Sequence, residues 1–80
     1  MRIRTLFFAT YRDLAGSGEL ELELPGGSTA ADLVRVLRAR DGLSRLPADP
    51  VLAVNQEYAP LGTTLADGDE VALLPPVAGG

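Results

Sequence analysis

The residues best placed to take part in chemistry stand at the end of the sequence, which closes on Gly79 and Gly80. Glycine has no Cβ, so a backbone ending in two glycines can pass through a narrow channel and adopt angles that other residues avoid. We therefore expect both glycines to give access to an active site, with the terminal carboxyl carbon of Gly80 as the reacting atom. A side chain there would crowd an incoming nucleophile, and about 1.4 kcal/mol of crowding already slows a reaction tenfold.

The rest of the composition excludes most other chemistry. The chain has no cysteine and no histidine, which rules out disulfides, thiol nucleophiles, imidazole bases and the usual zinc sites. Its seven basic residues are all arginine, so no lysine amine can act as a nucleophile. That bias fits a GC-rich or heat-adapted genome, or avoidance of self-conjugation. We expect no metal site, no bound cofactor and no catalysis by this chain alone.

Charge and hydropathy limit the classes of partner and the cellular compartments that are consistent with this sequence. Eleven acidic residues against seven basic ones give a net charge of -4, which disfavours nucleic acid and favours a basic protein partner. The apolar run at the N-terminus is too short for a secretory signal, and no stretch approaches the roughly 20 apolar residues that span a bilayer. We expect a cytoplasmic protein without a membrane or nucleic-acid partner.

Two alternating segments near the start predict β-strands. In "RIRTLFFA" the inward face carries Ile3, Thr5 and Phe7, which leaves Leu6 and Phe8 on the opposite face. In "ELELELP" three leucines alternate with three glutamates, which indicates a strand with one solvated face. The intervening "YRDLAGSG" has turn chemistry and is predicted to be a loop.

A helix is predicted to begin at Thr29. Thr29 and Asp32 have the spacing of a capping box, and the apolar stripe that follows consists of Ala30, Leu33, Val34 and Leu37. Gly42 is the expected stop.

The second half of the chain predicts the remaining strands. "VLAVN" is a strand, "QEYAP" a turn or short strand, and Glu70 to Leu74 the last strand, after a tight turn at Gly68. This order predicts an α+β fold, a mixed sheet with one main helix packed on one face and with the first and last strands adjacent. Residues 1–76 would form the domain and residues 77–80 a flexible tail.

Four apolar residues are expected to face away from the core. Strand parity places Leu6, Phe8 and Leu74 on the outer face, and with Tyr58 they would form one patch beside the tail. Clustered exposed apolar residues indicate a docking surface for a partner. The alternative is that these residues form a small cluster attached to the core, or that alternation along the strands assigns them to the wrong face. Pro75 and Pro76 would either stiffen the exit into the tail or simply end the strand.

The segments "LFFATYRDLAG", "VLAVNQEYA" and "LADGDEVALLPPVAGG" resemble the family of small, sulfur-carrying subunits of molybdopterin synthase, the MoaD family. The most specific part is D-G-D-E-V-A-x-x-P-P-V-x-G-G over residues 67–80, supported by F-F-A-x-x-R at Phe7 to Arg12. The resemblance implies the ubiquitin-like β-grasp fold. The chain departs from the family at Leu73 and Leu74, where many members carry aromatic residues, so the contact with a partner stays apolar but differs in shape.

The resemblance also implies a reaction and its partners. An adenylating enzyme of the MoeB type would use ATP and magnesium to activate the terminal carboxylate, and a sulfur donor would then convert it to a thiocarboxylate. A large, MoaE-like catalytic subunit would take up the tail and pass the sulfur to a pterin precursor, in a heterotetramer of two small and two large subunits. The residues expected to contact partners on this basis are Leu6, Phe8, Arg12, Tyr58, Leu74, Pro75, Pro76, Val77 and Ala78.

Two points stay open from the sequence. Arg12 would pair with a carboxylate on a partner or form an ordinary surface ion pair with Asp13 or another nearby acid. The function also has alternatives. One is a related sulfur carrier, for thiamine or transfer-RNA thiolation, a second is a modifier joined to protein lysines, and a third is a non-covalent β-grasp interaction module.

Overall fold

The structure, a computed structural model, describes residues 1–76. Its elements, in chain order, are β1 (Arg2–Phe7), α1 (Ala9–Ala15), β2 (Glu19–Glu23), α2 (Ala30–Arg38), β3 (Val51–Val54), β4 (Glu57–Ala59) and β5 (Glu70–Leu74). The strands form one mixed sheet in the order β2-β1-β5-β3-β4. β1 runs parallel to β5, and the other neighbours are antiparallel. The predicted adjacency of the first and last strands is therefore confirmed.

The core lies between one face of the sheet and α2. The inward positions that strand parity predicts for β1, Ile3, Thr5 and Phe7, are all buried, as are Val71 and Leu73 on β5. The predicted stripe of α2 is buried against them and consists of Ala30, Leu33, Val34 and Leu37. Since α2 covers only this face, no other element of residues 1–76 forms a layer over the opposite face of the sheet.

The capping box of α2 is present as predicted. The Asp32 amide donates to Thr29 Oγ1 over 3.3 Å, and the Thr29 amide donates to Asp32 Oδ2 over 2.9 Å. The predicted end was wrong, because the helix stops at Arg38 and not at Gly42. The Arg40 amide bonds to the carbonyl three residues back, so the chain has already tightened into turns. Gly42, at φ +83°, belongs to those turns.

The predicted loop after β1 was also incomplete, because residues 9–15 form the short helix α1. Tyr11 is 7% exposed and anchors this helix to the core. Gly16 ends it in a left-handed conformation, and its amide donates to the Arg12 carbonyl over 3.0 Å. A seven-residue helix is too short to be stable by propensity, so it depends on such tertiary packing. Within residues 1–76, no helix is long and apolar enough to cross a membrane.

Candidate functional site

The uncovered face of the sheet carries a row of apolar residues that crosses four strands. The register pairs Leu6 of β1 with Ala72 of β5, Ala72 with Ala53 of β3, and Ala53 with Tyr58 of β4. Paired residues in neighbouring strands project to the same face, so these four side chains lie side by side on the outer surface. The structure thus brings Leu6 and Tyr58 into one row, as strand parity predicted for Leu6.

A second row lies next to the first, toward the end of β5. Leu74 pairs with Val51 of β3. On β1 the register pairs Phe7 with Leu73, and Phe8, which follows with an extended backbone, faces the same side of the sheet as Leu74. Phe8, Val51 and Tyr58 are 46%, 51% and 80% exposed. We call the two rows together the apolar patch; its members are Leu6, Phe8, Val51, Ala53, Tyr58, Ala72 and Leu74.

Sequence reasoning missed part of this patch. Val51 was not among the predicted contact residues, although its exposure exceeds that of Phe8. The signal was present, because Leu52 is buried and alternation in "VLAV" then turns Val51 and Ala53 to the outer face. What the sequence did not supply was the pairing of β3 with β5, which puts Val51 next to Leu74.

The patch continues into the segment that leads to the C-terminus. A groove on the outer face is lined by Val51, Tyr58, Leu74, Pro75 and Pro76. Pro75 is half-buried and Pro76 is exposed, so both predicted exit residues lie at this groove. The remaining predicted site residues, Val77, Ala78, Gly79 and Gly80, lie outside the described residues. The last described residues therefore connect the apolar patch to the proposed reacting end.

The other half of the same face is charged. Arg4 lies between two carboxylates, with Glu70 Oε2 at 3.0 Å and Glu19 Oε1 at 3.6 Å, and Arg2 pairs with Glu23 over 3.3 Å. Apart from the half-buried Glu70, these groups are largely exposed, so each exposed pair contributes little to stability. Both arginines of this half are nevertheless paired with carboxylates of the same chain. Within residues 1–76, the outer face is thus divided into a charged half, in which Arg2 and Arg4 form ion pairs, and an apolar half.

Arg12, the arginine of the F-F-A-x-x-R motif, is exposed on α1. Among residues 1–76 it forms no ion pair, so of the two alternatives left open by the sequence, the pair with Asp13 or another nearby acid is not present in the part of the chain that the structure describes. Its side chain lies near the turn before β2, where a Cβ added to Gly18 would be 3.5 Å from Arg12 Nε. The guanidinium is therefore open to a partner's carboxylate.

The titration of two residues reflects their structural roles. Burial raises the pKa of Tyr11 above its ordinary value. The backbone hydrogen bond from Thr29, supported by the Thr29 hydroxyl and by the Arg35 guanidinium, lowers the pKa of Asp32. Neither residue lies in the apolar patch. Across residues 1–76, no group of three acidic side chains is arranged to hold a metal ion.

Comparison with known proteins gives a match over the length of the chain. The model of the ThiS family matches residues 5–80. The chain is 41% identical over 83 residues to the molybdopterin synthase sulfur carrier subunit of Chlamydomonas reinhardtii, with 100% of both chains covered. It is 38% identical over 86 residues to the subunit of the same name from Mycobacterium tuberculosis, which covers 100% of this chain and 99% of the relative.

Solved structures agree with this match. The small archaeal modifier protein 1 of Haloferax volcanii superimposes with a TM-score of 0.81 at 28% identity, over 95% of this chain and 98% of that one. A chain of the complex of subunits 1 and 2 of the molybdopterin-converting factor of Helicobacter pylori superimposes with a TM-score of 0.73 at 27% identity, over 100% of both chains. The ubiquitin-like β-grasp fold predicted from the sequence is thereby confirmed.

Proposed function

The chain belongs to the ThiS family, and from this membership we propose that it is the sulfur-carrier subunit of a molybdopterin synthase. The observation that carries the proposal is the end-to-end match. The family model extends through Gly80, and the Chlamydomonas reinhardtii sulfur carrier subunit aligns over its entire length. The shared region thus includes both the domain and the Gly-Gly end on which the chemistry would take place.

The proposed reaction uses the carboxylate of Gly80. One carboxylate oxygen attacks the α-phosphate of ATP, which forms an acyl-adenylate and releases pyrophosphate. Hydrosulfide supplied by a sulfur donor then attacks the acyl carbon and the C–O bond to AMP breaks, so that the carboxylate becomes a thiocarboxylate. In the synthase the sulfur passes to the pterin precursor and water restores the carboxylate. Gly79 and Gly80 contribute by leaving the acyl carbon uncrowded.

ATP and magnesium belong to the activating enzyme in this scheme. That enzyme would be of the MoeB type, and the chain itself would contribute only the carboxylate and a surface to dock. Arg4 is paired within the chain, with Glu19 and Glu70, and so is not assigned a role in nucleotide binding. A cytoplasmic location would follow from the need for ATP and stays a prediction.

The partner that would receive the tail is a large, MoaE-like catalytic subunit. The Helicobacter pylori neighbour is a complex of subunits 1 and 2 of the molybdopterin-converting factor, which supports a two-component assembly. On this chain the apolar patch would be the docking surface, and Leu6, Phe8, Tyr58 and Leu74 would be among its contact residues. Arg12 would pair with a partner carboxylate beside it. A 2:2 heterotetramer is the proposed stoichiometry.

Pro75 and Pro76 would guide the tail from this surface into the partner. Proline fixes φ near -65°, so two in succession restrict the chain before it is bound and reduce the entropy lost on threading. Val77 and Ala78, which stand between the prolines and the glycines, would contact the wall of the partner's channel. Because Pro75 and Pro76 share a groove with Leu74, docking of the patch would also set where the tail starts.

Two changes at the C-terminus test the proposal. Deletion of Gly80, or addition of one alanine after it, should abolish sulfur transfer to the pterin precursor in a reconstituted synthase. The melting temperature should change by less than about 1 °C, because terminal residues contribute little to stability. Full sulfur transfer by the extended chain would contradict the carrier role and favour a non-covalent docking module.

A second candidate is attachment to other proteins. The likeness to the small archaeal modifier protein 1 favours it, since the fold and the glycine end would suit an isopeptide bond as well as a thiocarboxylate. The two functions share the activation step and differ in the group that attacks the acyl carbon. Tryptic peptides carrying a remnant of this chain on lysines of other proteins would show conjugation. Their absence, together with sulfur transfer by the same preparation, would restrict the function to sulfur delivery.

A further inference from the structure

Ala9, at the junction of β1 and α1, has a left-handed backbone with φ +49°. Two other non-glycine residues of residues 1–76 share this feature, Asn55 and Gln56, and both form the turn between β3 and β4. Positive φ values are common in such hairpin turns. Ala9 lies outside any hairpin turn, and left-handed angles are unfavourable for alanine because of its Cβ. A strained residue of this kind persists only where the surrounding structure requires it.

The neighbours of Ala9 show what its conformation does. Phe8 is still extended, with φ -126° and ψ 153°, so alternation keeps it on the outer face, one residue beyond the Phe7–Leu73 pair. Three residues later, Tyr11 is buried on the core side. The Phe8 carbonyl accepts from the Tyr11 amide over 3.0 Å and from the Arg12 amide over 3.4 Å, which fixes the start of α1. The left-handed step at Ala9 thus takes the chain from the outer face to the core without turning Phe8 inward.

The side chain of Ala9 has no packing role that could explain the strain. The residue is exposed, so neither a core contact nor a buried hydrogen bond depends on its methyl group. What remains is its backbone conformation and the position that this gives to the ring of Phe8.

We propose that Ala9 is a positioning residue, whose left-handed conformation holds Phe8 in the apolar patch for contact with the large subunit. The proposal rests on the proposed function, because that function supplies the partner. It predicts that affinity for the partner depends on how well residue 9 tolerates a left-handed backbone and not on the size of its side chain.

Two variants of similar size and polarity separate these effects. Asparagine tolerates left-handed angles, whereas β-branched threonine does so poorly. Ala9→Thr should therefore weaken binding of the cognate large subunit about tenfold, as loss of one aromatic contact does, and Ala9→Asn should weaken it less than about threefold. Titration calorimetry with the purified large subunit measures both. If Ala9→Thr does not fold, Ala9→Leu replaces it, with an expected affinity between those of the other two variants.

Two controls exclude a general effect of stability. Gly68→Ala introduces a Cβ at φ +86° with no atom within 4 Å, at the far end of the sheet from the patch. It should lower the melting temperature without changing affinity. In a double-mutant cycle, Ala9→Thr should have little further effect once Phe8→Ala is present, because both changes remove the same contact.

The outcomes also separate this inference from the function on which it rests. Failure of the unaltered chain to bind the large subunit would contradict the proposed function. If that chain binds, equal affinities of Ala9→Thr and Ala9→Asn, or additive effects of Ala9→Thr and Phe8→Ala, would overturn the role of Ala9. A measurement without the partner gives a third test. Nuclear Overhauser contacts between the Phe8 ring and the Leu74 methyl groups should be present in the unaltered chain and lost in Ala9→Thr, and their persistence would overturn the inference.

Discussion

Thr5 is fully buried, and within residues 1–76 its Oγ1 is the buried side-chain polar atom left without a hydrogen-bond partner. Strand parity predicts its inward position correctly, because Ile3 and Phe7 flank it on the same face. Alternation along the strand does not predict whether the buried hydroxyl of Thr5 has a hydrogen-bond partner. An unsatisfied buried hydroxyl costs free energy, so the core at Thr5 is less stable than an apolar residue of the same shape would make it.

Replacement of Thr5 by valine should therefore stabilise the protein. Thr5→Val keeps the shape and the β-branch but removes the unpaired hydroxyl, and the free energy of unfolding should rise by about 1 kcal/mol. Urea denaturation followed by circular dichroism measures the change. Thr64→Val, at an exposed position, is the matched control and should change stability by less than about 0.5 kcal/mol. A loss of stability in Thr5→Val would show that the hydroxyl has a partner.

Asp32 gives a prediction about pH. Its pKa is lowered in the folded state by hydrogen bonds from Thr29 and by Arg35. A group with a lowered folded-state pKa stabilises the fold above its unfolded pKa, about 3.9 for aspartate, and loses that contribution as the pH falls through the folded-state value. Asp32→Asn keeps the acceptor oxygen and removes the charge. The unaltered chain should melt at a higher temperature than Asp32→Asn at pH 7, and the difference should shrink below about pH 4. A difference that stays constant down to pH 2.5 would contradict a role for the charge.

At the scale of secondary structure, β1, β2 and the start of α2 follow directly from the sequence because each has a repeating apolar pattern. The leucines of β2 and the capping box at Thr29 are examples. α1 could not be predicted in the same way. It spans seven residues, and its stability comes from Tyr11 in the core, a contact that depends on where β1 ends. The left-handed Ala9 at its start has no local signature in the sequence.

The candidate site shows the same limit. Parity alone places Leu6 and Leu74 on the outer face, since each follows or precedes a buried neighbour. The extent of the patch depends on strand pairing, and the pairing of β3 with β5 brings Val51 to Leu74. Pairings between strands distant in sequence are set by the whole fold, so Val51 became a candidate contact residue only from the structure.

The two faces of the molecule offer a matched pair of valines for a test of docking. Val51 lies in the apolar patch and is 51% exposed, while Val36 lies on α2, on the other side of the sheet, and is 40% exposed. Val51→Asp would leave a charge unpaired in an apolar interface and should weaken binding of the large subunit at least about tenfold. Val36→Asp should leave the affinity unchanged within about twofold. Equal losses for the two variants, measured by calorimetry, would contradict docking through the apolar patch.

At the scale of the whole molecule, the sheet separates two tasks. α2 and the core stabilise the inner face, and the outer face is free to contact partners through its apolar half. The parallel pairing of β1 with β5 matters here, because it places the last strand inside the sheet and its end next to Leu6 and Phe8. The segment that leads to the tail therefore starts at the proposed docking surface. This arrangement suits a carrier, whose reacting end must enter a partner's active site while its body is held outside.

The central claim is that Gly80 carries sulfur. Its most direct test is the intact mass of the full chain after incubation with the cognate adenylating enzyme, ATP, magnesium and a sulfur donor. We expect a gain of about 16 Da, the difference between sulfur and oxygen in one thiocarboxylate, located by fragmentation in the last residues of the chain. The gain should require ATP and should be absent from the chain that lacks Gly80. Release of pyrophosphate shows independently that the adenylating enzyme is active on this chain. If pyrophosphate is released and the mass of the chain stays unchanged, the claim is contradicted.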